Sequence, residues 1–156
     1  MRVLIATLTL TLLADQASKW AVIDRMALAQ RLYIEVFPPY LNFTMAWNTG
    51  INFGLFGGGS EATRWVLVAL ALVICAWVLV WAWRERTNTM MQLAAGLLVG
   101  GALGNVIDRL RYGAVADFIN MSCCGINNPF AFNIADVGIF AGAGLLILFA
   151  GRHKTP

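Results

Sequence analysis

The 156-residue chain is 60% hydrophobic and only 12% charged, with a mean hydropathy of +0.71. A soluble domain carries about 25% charged residues, so this composition excludes a disordered chain, a nucleic-acid-binding module and an ordinary cytosolic enzyme. The net charge of +3 comes from eleven Lys and Arg dispersed over several loops, which form no basic patch, and no nucleic-acid partner is expected.

The first apolar segment runs from Val3 to Ile23 and is broken late by Asp15 and Lys19. Arg2, the stretch to Leu13 and Ala27-Leu28-Ala29 imitate a cleavable secretory signal. The two charges interrupt that stretch and Ala29 lies far from its apolar part, so a retained helix is expected. Leu32–Phe37 and Tyr40–Met45, either side of Pro38-Pro39, are rich in aromatic and β-branched residues and read as short strands with a turn. Gly57-Gly58-Gly59-Ser60 reads as a flexible flap before the second apolar segment, Trp65–Trp83, which contains no charge.

The third segment begins at Met90 and is glycine-rich, with Asn105, Asp108 and Arg109 on one helical face at its end. Gly96, Gly100 and Gly104 form a stripe that lets helices approach closely. Val115–Ile119 reads as a loop carrying Asp117. The fourth segment, Ile134–Gly151, starts with Asn133 placed as a helix cap and Asp136 in the first turn.

Runs of 18 to 21 residues match the hydrocarbon thickness at about 1.5 Å per residue. They predict an all-α membrane protein: a single domain over residues 1–156, a four-transmembrane-helix bundle with spans near 3–23, 65–83, 90–108 and 134–151. The extracytoplasmic loops are 24–64 and 109–133, and the short strands of the first make a small β-rich loop region. The termini and the short turn 84–89 hold five Lys or Arg in thirteen residues, against five in 66 on the other side. That density places both termini in the cytoplasm.

Asp15, Lys19, Asn105, Asp108, Arg109, Asp117 and Asp136 then reach a similar depth near the outer face, and a shared site is the simplest account. Asp15 and Lys19, four apart, read first as a structural ion pair. Ser18 beside Lys19 invites a Ser-Lys hydrolase, but adjacent helical residues point about 100° apart. Three cysteines and one histidine offer neither a disulfide framework nor zinc-ligand spacing, and no metal or other cofactor is expected. A proton-coupled transporter and a non-catalytic lipid-binding subunit are the competing classes.

Five blocks taken together resemble the lipoprotein signal peptidases, the type II signal peptidases of bacteria. They are Asp15-Gln16-Ala17-Ser18-Lys19; Asn48-Thr49-Gly50 followed by Phe53; Gly104-Asn105-Val106-Ile107-Asp108-Arg109; Val115-Ala116-Asp117-Phe118-Ile119; and Phe132-Asn133-Ile134-Ala135-Asp136. The resemblance implies an inner-membrane aspartic protease, monomeric and surrounded by phospholipid, with its active site near the periplasmic face. Such an enzyme cleaves lipid-modified prolipoproteins just before the lipidated cysteine. It implies Asp117 and Asp136 as catalytic acids, and Asp15, Lys19, Asn48, Gly50, Asn105, Asp108, Arg109, Asn133 and Ala135 as supporting or substrate-binding residues. Ile51-Asn52 departs from the family's usual small residues in its second block.

Overall fold

The computed structural model describes residues 1–50, 61–123 and 128–150. Helix α1 (Arg2–Lys19) continues into a π-helical stretch, Trp20–Arg25, and a single turn, α2 (Leu28–Arg31). Strands β1 (Tyr33–Phe37) and β2 (Leu41–Asn48) follow, then helices α3 (Glu61–Arg84) and α4 (Thr89–Tyr112), strand β3 (Val115–Met121) and helix α5 (Ile134–Ala150). The expected proline-pair strands are present as β1 and β2. Gly57–Ser60, Ile51, Asn52, Phe53 and Cys124 lie outside the described residues.

Helices α3 and α4 have 24 residues each and are long and apolar enough to cross a membrane. Helix α1 is also 18 residues long but carries Arg2, Asp15 and Lys19, and α5 is a shorter apolar helix. Asn88 starts α4 by accepting hydrogen bonds at Oδ1 from the amides of Met90 (3.1 Å) and Met91 (3.2 Å), which satisfies two otherwise unpaired donors. Gly113, at φ +81°, ends it, a conformation that costs glycine nothing. The apolar pattern alone stops this helix near Asp108. It runs one turn further because Asp108 and Arg109 both find partners in the folded chain (below).

Helix α4 is the central helix, packed against α1, α5 and α3. Glycine makes two of these contacts possible. A Cβ on Gly100 would lie 2.6 Å from the Leu8 carbonyl oxygen of α1, and one on Gly142 would lie 2.6 Å from the Ala94 oxygen and Leu98 nitrogen of α4. Both contacts are with backbone, which cannot step aside, so the helices sit closer than any side chain would permit. Between α3, α4 and α5, Cys75, Val78, Met91, Val99 and Leu146 form the main apolar cluster.

The strands form one antiparallel sheet in the order β1-β2-β3. Strand β3 corrects the expectation that Val115–Ile119 is a loop. Asp117 stands on a strand, opposite Ala46 of β2, with Val115 opposite Asn48. Phe118, Val22 and Leu28 form a second cluster, and Phe43 meets the Phe118 ring edge-on at 5.7 Å. This cluster fixes the sheet on the π-helical end of α1, at the end of the bundle where α4 finishes and α5 starts.

Candidate active site

Two buried carboxyl groups, Asp117 and Asp136, come together at that end, 4% and 3% exposed. Strand β3 delivers the first and the opening turn of α5 delivers the second. Asn133 joins them. Its Nδ2 donates to Asp117 Oδ1 at 2.6 Å, and its Oδ1 accepts from the Asp136 amide at 2.9 Å. Asp136 Oδ2 in turn accepts from the Asn133 amide at 3.2 Å. This reciprocal pair is a capping box, so one motif both starts α5 and aims a carboxyl group. Two further amides complete the arrangement: Asn48 Nδ2 donates to Asp117 Oδ2 (3.1 Å) and Asn105 Nδ2 to Asp136 Oδ1 (3.0 Å).

Burial pushes the Asp117 carboxyl well above the ordinary carboxylate range, the charge of Asp136 raises it further, and hydrogen bonds from Asn48 and Asn133 oppose the rise, leaving it at about 7. In the unfolded chain the same group ionises near its ordinary value, 3.8. Between these values the folded state holds more protons than the unfolded state, so this group's contribution to stability falls as pH rises from about 4 to about 7. Thermal melts of the purified protein across that window are expected to show wild type losing more stability than Asp117→Asn, which cannot ionise. Parallel pH curves would refute the assignment.

Behind the acids lies a second cluster. Lys19 Nζ sits between Asp15 Oδ2 at 2.8 Å and Asp108 Oδ2 at 2.7 Å, with all three side chains buried. The expected Asp15–Lys19 ion pair is therefore present, with Asp108 as a second acid. Each of these acids also holds a backbone amide: Asp15 Oδ1 accepts from Ala135 N (3.0 Å) and Asp108 Oδ2 from Ala116 N (3.1 Å). Ala116 immediately precedes Asp117, and Ala135 immediately precedes Asp136. The lysine thus clamps two carboxylates that fix the backbone beside each acid of the pair.

Gln16 strengthens the clamp, donating through Nε2 to Asp15 Oδ2 (3.1 Å) and Asp108 Oδ1 (3.2 Å). Sequence reasoning left Gln16 without a role, although its three-residue spacing from Lys19 puts both on one helical face. Ser18 Oγ donates to the Asp15 carbonyl oxygen at 2.7 Å, and Lys19 is engaged by its two acids, which fits neither member of a Ser-Lys pair. Arg109 Nη2 donates to the Gly50 carbonyl oxygen at 2.9 Å, and the Gly50 amide donates to Asn48 Oδ1 at 3.1 Å. The Asn48-Thr49-Gly50 turn is thereby held against both Asp117 and α4. All eleven residues singled out from the sequence belong to this one hydrogen-bonded neighbourhood.

An open cavity of about 550 Å³ adjoins Asp136, which lines it with the apolar side chains of Phe130, Phe132, Val137, Phe140 and Ala141 among others. A cavity lined mainly by apolar side chains with one carboxyl group suits an apolar ligand that carries a polar group. Among the described residues, the halves of the four long helices remote from the sheet carry no Asp or Glu.

The family model for signal peptidase (SPase) II matches residues 7–151. A lipoprotein signal peptidase of Rhizorhabdus wittichii is 40% identical over 148 residues, covering 94% of this chain and 84% of the relative. One from Beijerinckia indica is 41% identical over 141 residues, covering 90% and 83%. Among solved structures, a bacterial membrane enzyme determined by the in meso method at 2.3 Å resolution superposes with a TM-score of 0.78 at 27% identity, covering 100% of this chain and 95% of that one. A second, at 1.9 Å resolution, gives 0.78 at 29% identity, covering 99% and 96%.

Proposed function

The chain belongs to the signal peptidase II family, and from that premise we propose that it is a membrane-embedded aspartic endopeptidase acting on diacylglyceryl-modified prolipoproteins. It removes the signal peptide by cutting on the N-terminal side of the lipidated cysteine. The observation that carries this reading is the buried pair Asp117 and Asp136, joined through one asparagine, with Asp136 lining a largely apolar cavity.

Hydrolysis by such a pair needs one carboxyl protonated and one ionised. Asp117, raised to about 7, holds the proton and donates it to the scissile carbonyl oxygen as a water attacks the carbon. Asp136 takes the proton that the water loses. When the tetrahedral intermediate collapses, Asp136 passes its proton to the leaving nitrogen and the C–N bond breaks. The proton on the former carbonyl oxygen returns to Asp117, so both acids end as they began. Asn48, Asn105 and Asn133 orient the carboxyls, and Asp15, Lys19 and Asp108 hold the backbone that carries them.

All four long helices serve as membrane spans in this reading, with both termini in the cytoplasm and the acids near the periplasmic face of the inner membrane. A diacylglyceryl substrate favours that location, since each acyl methylene buried contributes about 0.8 kcal/mol. The test is to incubate the purified protein with diacylated and with unmodified prolipoprotein and to weigh the products. A single cut before the cysteine of the diacylated form alone is expected; equal cleavage of both, or of neither, would refute the assignment.

A further inference from the structure

The cavity beside Asp136 has two sides. One is helix α5 itself; the other is the segment between β3 and α5, which contributes Asn128, Phe130, Ala131 and Phe132. The far end of that segment is tied to β3 by backbone: Phe132 O accepts from the amides of Phe118 (3.1 Å) and Ile119 (2.8 Å), and its amide donates to Ile119 O (3.0 Å). The near end is tied by side chains. Asn120 of β3, 7% exposed, donates through Nδ2 to the carbonyl oxygens of Asn128 (2.7 Å) and Phe130 (2.8 Å). Ser122 Oγ donates to Asn120 Oδ1 (3.2 Å) and accepts from the Asn128 amide (3.1 Å). Asn128 Oδ1 accepts in turn from the Phe130 amide at 3.0 Å. Both donors and the acceptor of the buried Asn120 amide are thereby engaged, and Asn128 is gripped at its amide and its carbonyl together.

We propose that Asn120, Ser122 and Asn128 are positioning residues for substrate binding: they hold Phe130 in the cavity wall and so set how tightly the cavity grips substrate. The inference rests on the peptidase reading above. Phe130 is 46% exposed, so packing covers only about half of it. Its place depends on a backbone whose carbonyl and amide both belong to this latch. The other end of the segment is fixed independently, by the pairing of Phe132 with Ile119 and by the capping box at Asn133. Loosening the latch therefore frees the wall and leaves the start of α5 where it is. Asp117 shares strand β3 with Asn120 but takes its own hydrogen bonds from Asn48 and Asn133, so the acid keeps its setting as well. A change confined to the wall weakens binding without slowing the chemical step, which places its effect in KM. All three residues lie between the fourth and fifth blocks of the family resemblance and belong to neither.

The experiment measures cleavage of full-length diacylated precursor by the purified enzyme and its variants. Asn120→Leu keeps the side-chain volume but leaves two carbonyl oxygens without their donor. Ser122→Ala opens the latch more gently, and Phe130→Ala removes the ring that the latch holds. KM is expected to rise about tenfold in Asn120→Leu and about threefold in Ser122→Ala, with kcat and the midpoint of its pH profile as in wild type. Ser122→Thr, which keeps the hydroxyl, is expected to retain the wild-type KM. Adding Asn120→Leu to Phe130→Ala is expected to raise KM little beyond Phe130→Ala alone, because both changes remove the same contact with substrate. A wild-type KM in Asn120→Leu and Ser122→Ala overturns the proposal, and so do additive effects in the double variant. A fall in kcat with a shifted pH midpoint also overturns it, since the latch would then be supporting the acids. If Asn120→Leu does not fold, Ser122→Ala and its combination with Phe130→Ala decide on the same terms. If wild type leaves the precursor uncut, the peptidase reading fails and this inference fails with it.

Discussion

Replacing either acid by its amide, Asp117→Asn or Asp136→Asn, is expected to abolish cleavage of diacylated precursor, by about 10³-fold or more. The amides keep the shape of the carboxyl groups but can neither take a proton from water nor return one to the leaving nitrogen. Both variants should remain folded, because the apolar contacts among α1, α3, α4 and α5 do not involve these side chains. The double variant should be no slower than the worse single one, since two groups that share a proton act as a unit. Cleavage at the wild-type rate by either purified variant would remove the pair from the mechanism.

The second large effect concerns stability. Lys19→Met takes the cation from between two buried carboxylates, Asp15 and Asp108. Leaving a buried charge without its partner costs about 3–5 kcal/mol, and here two acids lose theirs. Denaturation in mild detergent should show a loss of that order, and activity should fall even where the protein remains folded, because the amides beside Asp117 and Asp136 lose their fixed anchors. Adding Asp108→Asn to Lys19→Met should recover part of the stability, a coupling that a double-mutant cycle measures directly. A variant as stable as wild type would show that the lysine is not the centre of the clamp.

The helices and the first two strands were legible because their causes are local. Apolar runs of span length, a proline pair between aromatic stretches and an Asn three residues before an Asp each act within a few neighbouring residues. The capping box at Asn133 and Asp136 was visible for the same reason. Strand β3 was not. Val115–Met121 is buried at nearly every position and shows no alternation, while its pairing partner β2 precedes two intervening helices. An Asp and an Asn facing inward look like loop residues until Asn133 and the backbone of residues 128–130 supply their partners. The site itself was legible as a set of residue types at one depth. How they divide into a proton-handling pair, an asparagine frame and a lysine clamp depends on contacts between distant segments, which spacing does not reveal. Gln16 illustrates this: its two carboxylate partners lie on different helices.

The hydrogen bond from Ala135 to Asp15 spans 120 positions of the chain. It joins α1 to the start of α5, so the backbone beside Asp136 takes its place only once these two helices have packed together. The two carboxyls are therefore brought together by tertiary assembly and not by any one segment of the chain.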